Sequence, residues 1–118
     1  MSKEGKKTLE TAYGDDFVVN GYVIIDGEEI PTVTRKITSA NVISVTVGTN
    51  GYQGGDSGHG CRTFFRLKDE SSTDMSCRLS GKSCGDTGQV EITLGGDCEL
   101  ETFIQALEFA ADELRKMS

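Results

Sequence analysis

Over most of the chain, apolar and polar positions alternate with the two-residue period of half-buried β-strands, and only near the end does the spacing become helical. Phe17 to Ile25 is β-branched and aromatic. It is followed by Asp26-Gly27, a favoured type I′ hairpin pair, and by Glu28 to Ile37, so this stretch predicts a hairpin. Pro31 lacks an amide donor, which places the second strand at a sheet edge or interrupts its ladder there. Further strands are expected over Val42 to Val47, Cys61 to Lys68, Asp74 to Ser80 and Gln89 to Leu94.

After Gly95-Gly96, Asp97 is the expected N-cap of a helix, with Leu100, Phe103, Ile104, Leu107, Ala111 and Leu114 at helical spacing. Six acids lie between Asp97 and Glu113, and Arg115 and Lys116 close the last turn, as the helix dipole favours. The pattern predicts an α+β domain: a mainly antiparallel β-sheet of five to six strands with one C-terminal amphipathic helix packed on it. Residues 1 to 12 are charged and aperiodic and read as a flexible N-terminal arm, leaving 13 to 118 as a single α+β domain.

Composition adds a difficulty. Leu, Ile, Val and Phe number 27 of 118 residues, about 23%, which suffices to fold but leaves a thin core. One helix cannot cover both faces of such a sheet, so a homo-oligomer is expected to supply the missing burial. The net charge of -7 argues against binding to long nucleic acid. No apolar run is long enough to span a membrane, and Met1 to Lys7 lacks the apolar stretch of a signal peptide, so a cytoplasmic location is expected. The four cysteines, Cys61, Cys77, Cys84 and Cys98, include no CxxC pair and read as small buried hydrophobes. Neither a metal nor a cofactor is expected.

Candidate chemistry concentrates between Gly48 and Gly60, where six of thirteen positions are glycine. Within it, Gly54, Gly55, Asp56, Ser57, Gly58, His59 and Gly60 form the run GGDSGHG. Gly55 to Gly58 resembles the nucleophile signature of chymotrypsin-like serine proteases. Those enzymes need two barrels and a base from a distant segment, whereas the only histidine here lies two residues from Ser57. Asp56 and His59 remain a candidate metal or acid-base pair. A better fit is a backbone nest, in which successive glycine amides converge on a phosphate or carboxylate. Tyr52 lies in the same loop and offers a ring for stacking or for anchoring it.

The following strand supports an anion site. Alternation puts Arg62, Phe64, Arg66 and Lys68 on one face, and Arg78 on the next expected strand adds a third arginine within 17 residues. Guanidinium groups bind phosphate in a bidentate manner, and a phenylalanine ring can stack on a base. The competing expectation pairs these arginines with Glu91 and Asp74 across strands.

At GGDSGHG and the LGGD that leads into the helix, the chain resembles small proteins carried by phages and prophages. In size, acidity and expected oligomerisation it is also similar to phage anti-defence proteins that sequester nucleotide immune signals. That similarity implies non-catalytic binding of a small anionic nucleotide-like ligand in the cytoplasm of an infected host. Two alternatives stand beside it: a hydrolase using His59 and Asp56, and an inhibitor that holds a host protein through its acidic surface.

Overall fold

The structure, a computed structural model, describes residues 4–10, 17–39, 41–56, 58–71, 75–79, 82–83 and 88–118. Strands β1 (Glu4–Glu10), β2 (Phe17–Ile25), β3 (Glu28–Thr38), β4 (Val42–Thr49), β5 (Arg62–Ser71) and β8 (Gln89–Gly95) form one antiparallel sheet in the order β1-β2-β3-β4-β5-β8. A two-stranded ribbon, β6 (Arg78–Leu79) and β7 (Lys82–Ser83), lies in sequence between β5 and β8. Helix α1 (Asp97–Met117) ends the chain. The α+β architecture read from the pattern is the observed one.

The Asp26-Gly27 turn has φ values of 51° and 79°, both positive as a type I′ turn requires. Pro31 sits where the missing donor costs nothing: β3 pairs with β2 there, and pairing with β4 begins only at Thr32. Two expectations are corrected. Residues 4–10 of the expected arm form β1, in register with β2 from Glu4↔Val23 to Glu10↔Phe17. Lateral hydrogen bonds to β2 recruit this segment without any apolar alternation of its own. Of the strand expected over 74 to 80, residues 75–77 are not in a strand, Arg78–Leu79 pair with β7, and 74 and 80 lie outside the described residues.

Cross-strand register defines two faces. One carries Arg62, Phe64, Arg66 and Lys68 of β5, opposite Gly48, Thr46 and Ser44 of β4, and continues to Ile30 and Thr32 of β3 and Val23 of β2. The sheet coils toward this face, because Arg62 on β5 reaches over β4 and β3 to Asp26 in the β2–β3 turn, Nε to Oδ2 2.9 Å. Coiling buries a small core with no described helix on that side: Val23, Ile30 and Phe64 are 0–2% exposed. Polar groups within it are paired, as burial demands. The Thr34 and Thr46 hydroxyls, directly opposite in register, lie 2.7 Å apart, and the Ser44 hydroxyl donates to Glu70 at 2.8 Å.

The other face, largely apolar but carrying Asn20 and Arg35, receives α1. Phe103 packs edge-on against Phe65 of β5, with ring centroids 5.5 Å apart. Leu100 is buried, but coverage ends early. Val33, Ile37, Val47 and Ile92 on the sheet, and Leu107, Leu114 and Met117 on the helix, keep between 37 and 78% of their surface in solvent.

Candidate functional site

The glycine-rich loop folds over the start of α1, and its amides converge on an anion that belongs to the chain itself. Asp97 is the first helical residue rather than the cap; Gly96 holds the cap position and has no side chain to offer. The Asp97 carboxylate turns back toward the loop. It accepts the Gln53 amide at 3.1 Å on both oxygens, the Gly54 amide at 2.7 Å on Oδ2 and the Cys61 amide at 3.0 Å on Oδ1. These donors, the Gln53 amide foremost, hold its carboxyl at about 2, well below the usual range near 3.8. The nest expected for a phosphate is thus built, and a carboxylate 36 to 44 residues away in sequence fills it.

The helix is capped from outside its own segment. Asp56 accepts the Cys98 amide at 2.7 Å, doing for α1 what a local N-cap side chain normally does. Backbone bonds complete the join: the Asp97 amide donates to Gly55 at 2.7 Å, the Gly58 amide to Gly95 at 2.8 Å and the Gly96 amide to Cys61 at 2.8 Å. Gly60, with φ of 96°, is required on two counts. A Cβ there would strike the Gly55 carbonyl and lie 2.7 Å from the Asp97 carboxylate. Tyr52 adds a side-chain strut, its hydroxyl donating to Glu101 at 2.6 Å. That bond raises the phenol and lowers the carboxyl of Glu101.

The arginines are likewise engaged. Arg62 donates from Nε to Asp26, from Nη2 to Gly58 at 2.9 Å and from Nη1 to the Gly60 and Cys61 carbonyls at 3.3 and 3.2 Å. All four of these bonds go to the loop and the hairpin turn. Arg66 pairs with Glu91, Nε to Oε2 2.8 Å, the cross-strand partner that alternation allowed. Its guanidinium carbon lies 5.1 Å above the Phe64 ring. Phe64, expected to stack on a ligand, is instead core, at 2% exposure. Alternation correctly grouped it with the arginines, but the coiled sheet buries that face. Arg78 is exposed in the β6–β7 ribbon, and β5 has β4 and β8 as neighbours, so it does not join Arg62 and Arg66 across adjacent strands.

Of the remaining expected site residues, His59 and Tyr52 are exposed and Ser57 lies outside the described residues. The Asp56–His59 pair meets through the backbone, the His59 amide donating to the Asp56 carbonyl at 3.1 Å, while the Asp56 carboxylate is committed to the helix. Sequence reasoning missed Asp97 and Glu101 as partners of the loop and Asp26 as partner of Arg62. The one available signal was Gly95-Gly96-Asp97, a carboxylate at a helix start beside residues that permit close approach.

A cleft of about 350 Å³ lies between Leu94 of β8 and the first turns of α1, lined there by Cys98, Glu99, Thr102, Phe103 and Ala106. The Cys98 thiol on its rim is raised, first by the neighbouring Asp56 carboxylate. No group of three His, Cys, Asp or Glu able to hold a metal occurs among the described residues, and no described helix is long and apolar enough to cross a membrane.

Comparison with known proteins finds no family model, curated sequence or solved structure that matches the chain.

Proposed function

We propose that the protein acts by binding rather than by catalysis, and that its working form is a homo-oligomer. The observation that carries this reading is the uncovered apolar surface shared by α1 and the sheet face beneath it. So many exposed large apolar side chains on a small protein mark an interaction surface. The loop that first suggested chemistry supports the same reading. Its Gln53, Gly54 and Cys61 amides, the Asp56 and Asp97 carboxylates and the Arg62 guanidinium join loop, helix and hairpin. Light scattering coupled to size exclusion tests the proposal: a mass at a multiple of 12.7 kDa is expected, and a monomer at high micromolar concentration overturns it.

A second reading keeps the small phosphorylated, nucleotide-like ligand, held without being transformed. It is favoured by the convergence of three amides on one carboxylate, which is anion-binding stereochemistry, with the exposed Tyr52 and His59 in the same loop. In this reading a phosphate competes with Asp97 for the amides. Titration calorimetry with cyclic di- and trinucleotides and ADP-ribose variants should then give tighter binding to Asp97→Asn than to wild type. Absence of heat from both proteins at high micromolar ligand removes the ligand reading and leaves the oligomer untouched.

A further inference from the structure

We infer that the oligomer is a dimer built on α1, whose occupant is the α1 of a second copy running antiparallel. This inference rests on the oligomeric reading above and specifies its interface. Along α1, Phe103, Ala106, Ala110, Leu114 and Met117 follow one another at intervals of three and four residues and so form a single stripe. Among the described residues, the N-terminal end of that stripe is the occupied part, where Phe103 meets Phe65. Leu114 and Met117 are 66% and 78% exposed.

The two ends of the stripe complement each other. Its front half borders the cleft between β8 and α1, a recess edged by Leu94, Phe103 and Ala106. Its rear half carries two protruding apolar side chains of a size to enter such a recess. The helix dipoles fix the direction. Asp97 and Glu99 stand in the first turn and Arg115 and Lys116 in the last, with Asp97 turned into the loop and Lys116 paired to Glu113 of its own helix. Antiparallel packing opposes the two dipoles and brings the Glu99 end of each helix toward the partner's Arg115, whereas parallel packing aligns the dipoles.

One register satisfies these conditions together. With the two-fold axis passing level with Glu108, Ala106 lies opposite Ala110, Leu114 opposite Thr102, and Met117 opposite Glu99. Alanines then occupy the crossing, where small side chains allow the helix axes to approach toward the lower end of the usual 8–10 Å range. Leu114 and Met117 of each copy reach the cleft of the other, an isologous contact that uses the same patch twice and closes at two subunits.

The test uses the full chain. Wild type is expected at twice the chain mass, and Ala110→Glu, which sets a carboxylate at the crossing, at the monomer mass with an unchanged circular dichroism spectrum. Disulfide trapping gives the direction independently of that variant's folding. Equimolar Ala106→Cys and Ala110→Cys chains, oxidised gently and mapped by mass spectrometry, should yield the 106–110 mixed crosslink well above 106–106 and 110–110. Dominance of the two like-with-like crosslinks overturns the antiparallel arrangement. A folded Ala110→Glu chain that remains dimeric overturns the helix interface while leaving the oligomer intact. A monomeric wild type overturns both and assigns the stripe to a foreign partner.

Discussion

Asp56 and Asp97 exchange services across the junction of loop and helix: Asp97 accepts amides of the loop, and Asp56 accepts the Cys98 amide of the helix. Each carboxylate satisfies donors that the other's segment leaves open. The arrangement resembles a capping box in logic, but its two halves come from segments about forty residues apart.

This exchange has a pH signature. The Asp97 carboxyl is held at about 2 in the fold against 3.8 unpaired, so its contribution to stability is complete above the higher value and is lost as pH falls through the lower one. Asp97→Asn lacks the charge at every pH. The melting temperature of wild type should therefore exceed that of the variant near neutrality, and the gap should close between about pH 4 and pH 2. Thermal scans across that range check it, and a gap that persists at pH 2 contradicts the assignment.

Phe64 and Phe109 make a contrasting pair. Phe64 is sealed with Val23 and Ile30, and Phe64→Ala should cost about 3–5 kcal/mol, a large share of the stability of a domain this small. Phe109 is 68% exposed and off the helix stripe, so Phe109→Ser should change stability by less than about 0.5 kcal/mol. Urea midpoints measured for both variants decide the matter.

The Arg66–Glu91 pair lies in half-exposed surroundings, with Arg66 also over the Phe64 ring. Arg66→Gln should lower stability by about 1 kcal/mol, combining a modest ion pair with a modest cation–π contact. Denaturation in low and high salt separates the two: the ion-pair share falls with added salt, while the ring contact persists.

Cys98 is exposed but its thiol is raised by the Asp56 carboxylate beside it, so less thiolate is present at a given pH. Alkylation at pH 8 should be slower at Cys98 than its exposure suggests, and Asp56→Asn should accelerate it several-fold. Peptide mapping after timed iodoacetamide treatment gives the rate at this residue. Cys61, fully buried with its sulfur bonded to the Gly96 carbonyl at 3.3 Å, should stay unlabelled until the chain unfolds.

Much of the fold was legible because it is written locally. The Asp26-Gly27 turn, the alternation in β5 and the helical spacing after Gly96 each depend on near neighbours. What local pattern could not express was choice of partner. Alternation assigned Phe64 and Phe65 to opposite faces, yet both faces bury apolar groups, one by coiling and one beneath a helix. Glycine content announced an anion cradle, but the identity of its anion was settled by Asp97, more than forty positions from Gly54. The β1 segment shows the same limit from the other side, since its lysines carry no strand signal and the exposed edge of β2 recruits them.

The clasp between loop and helix reverses the usual rule about where a chain tolerates added length. Surface loops ordinarily accept insertions at small entropic cost, and glycine-rich ones most readily. Here one extra residue between Gly54 and Cys61 would pull amides off Asp97 and Asp56 off the Cys98 amide together, undoing the cap at the start of α1. The segment that most resembles a slack connector is the one whose length is held to the residue.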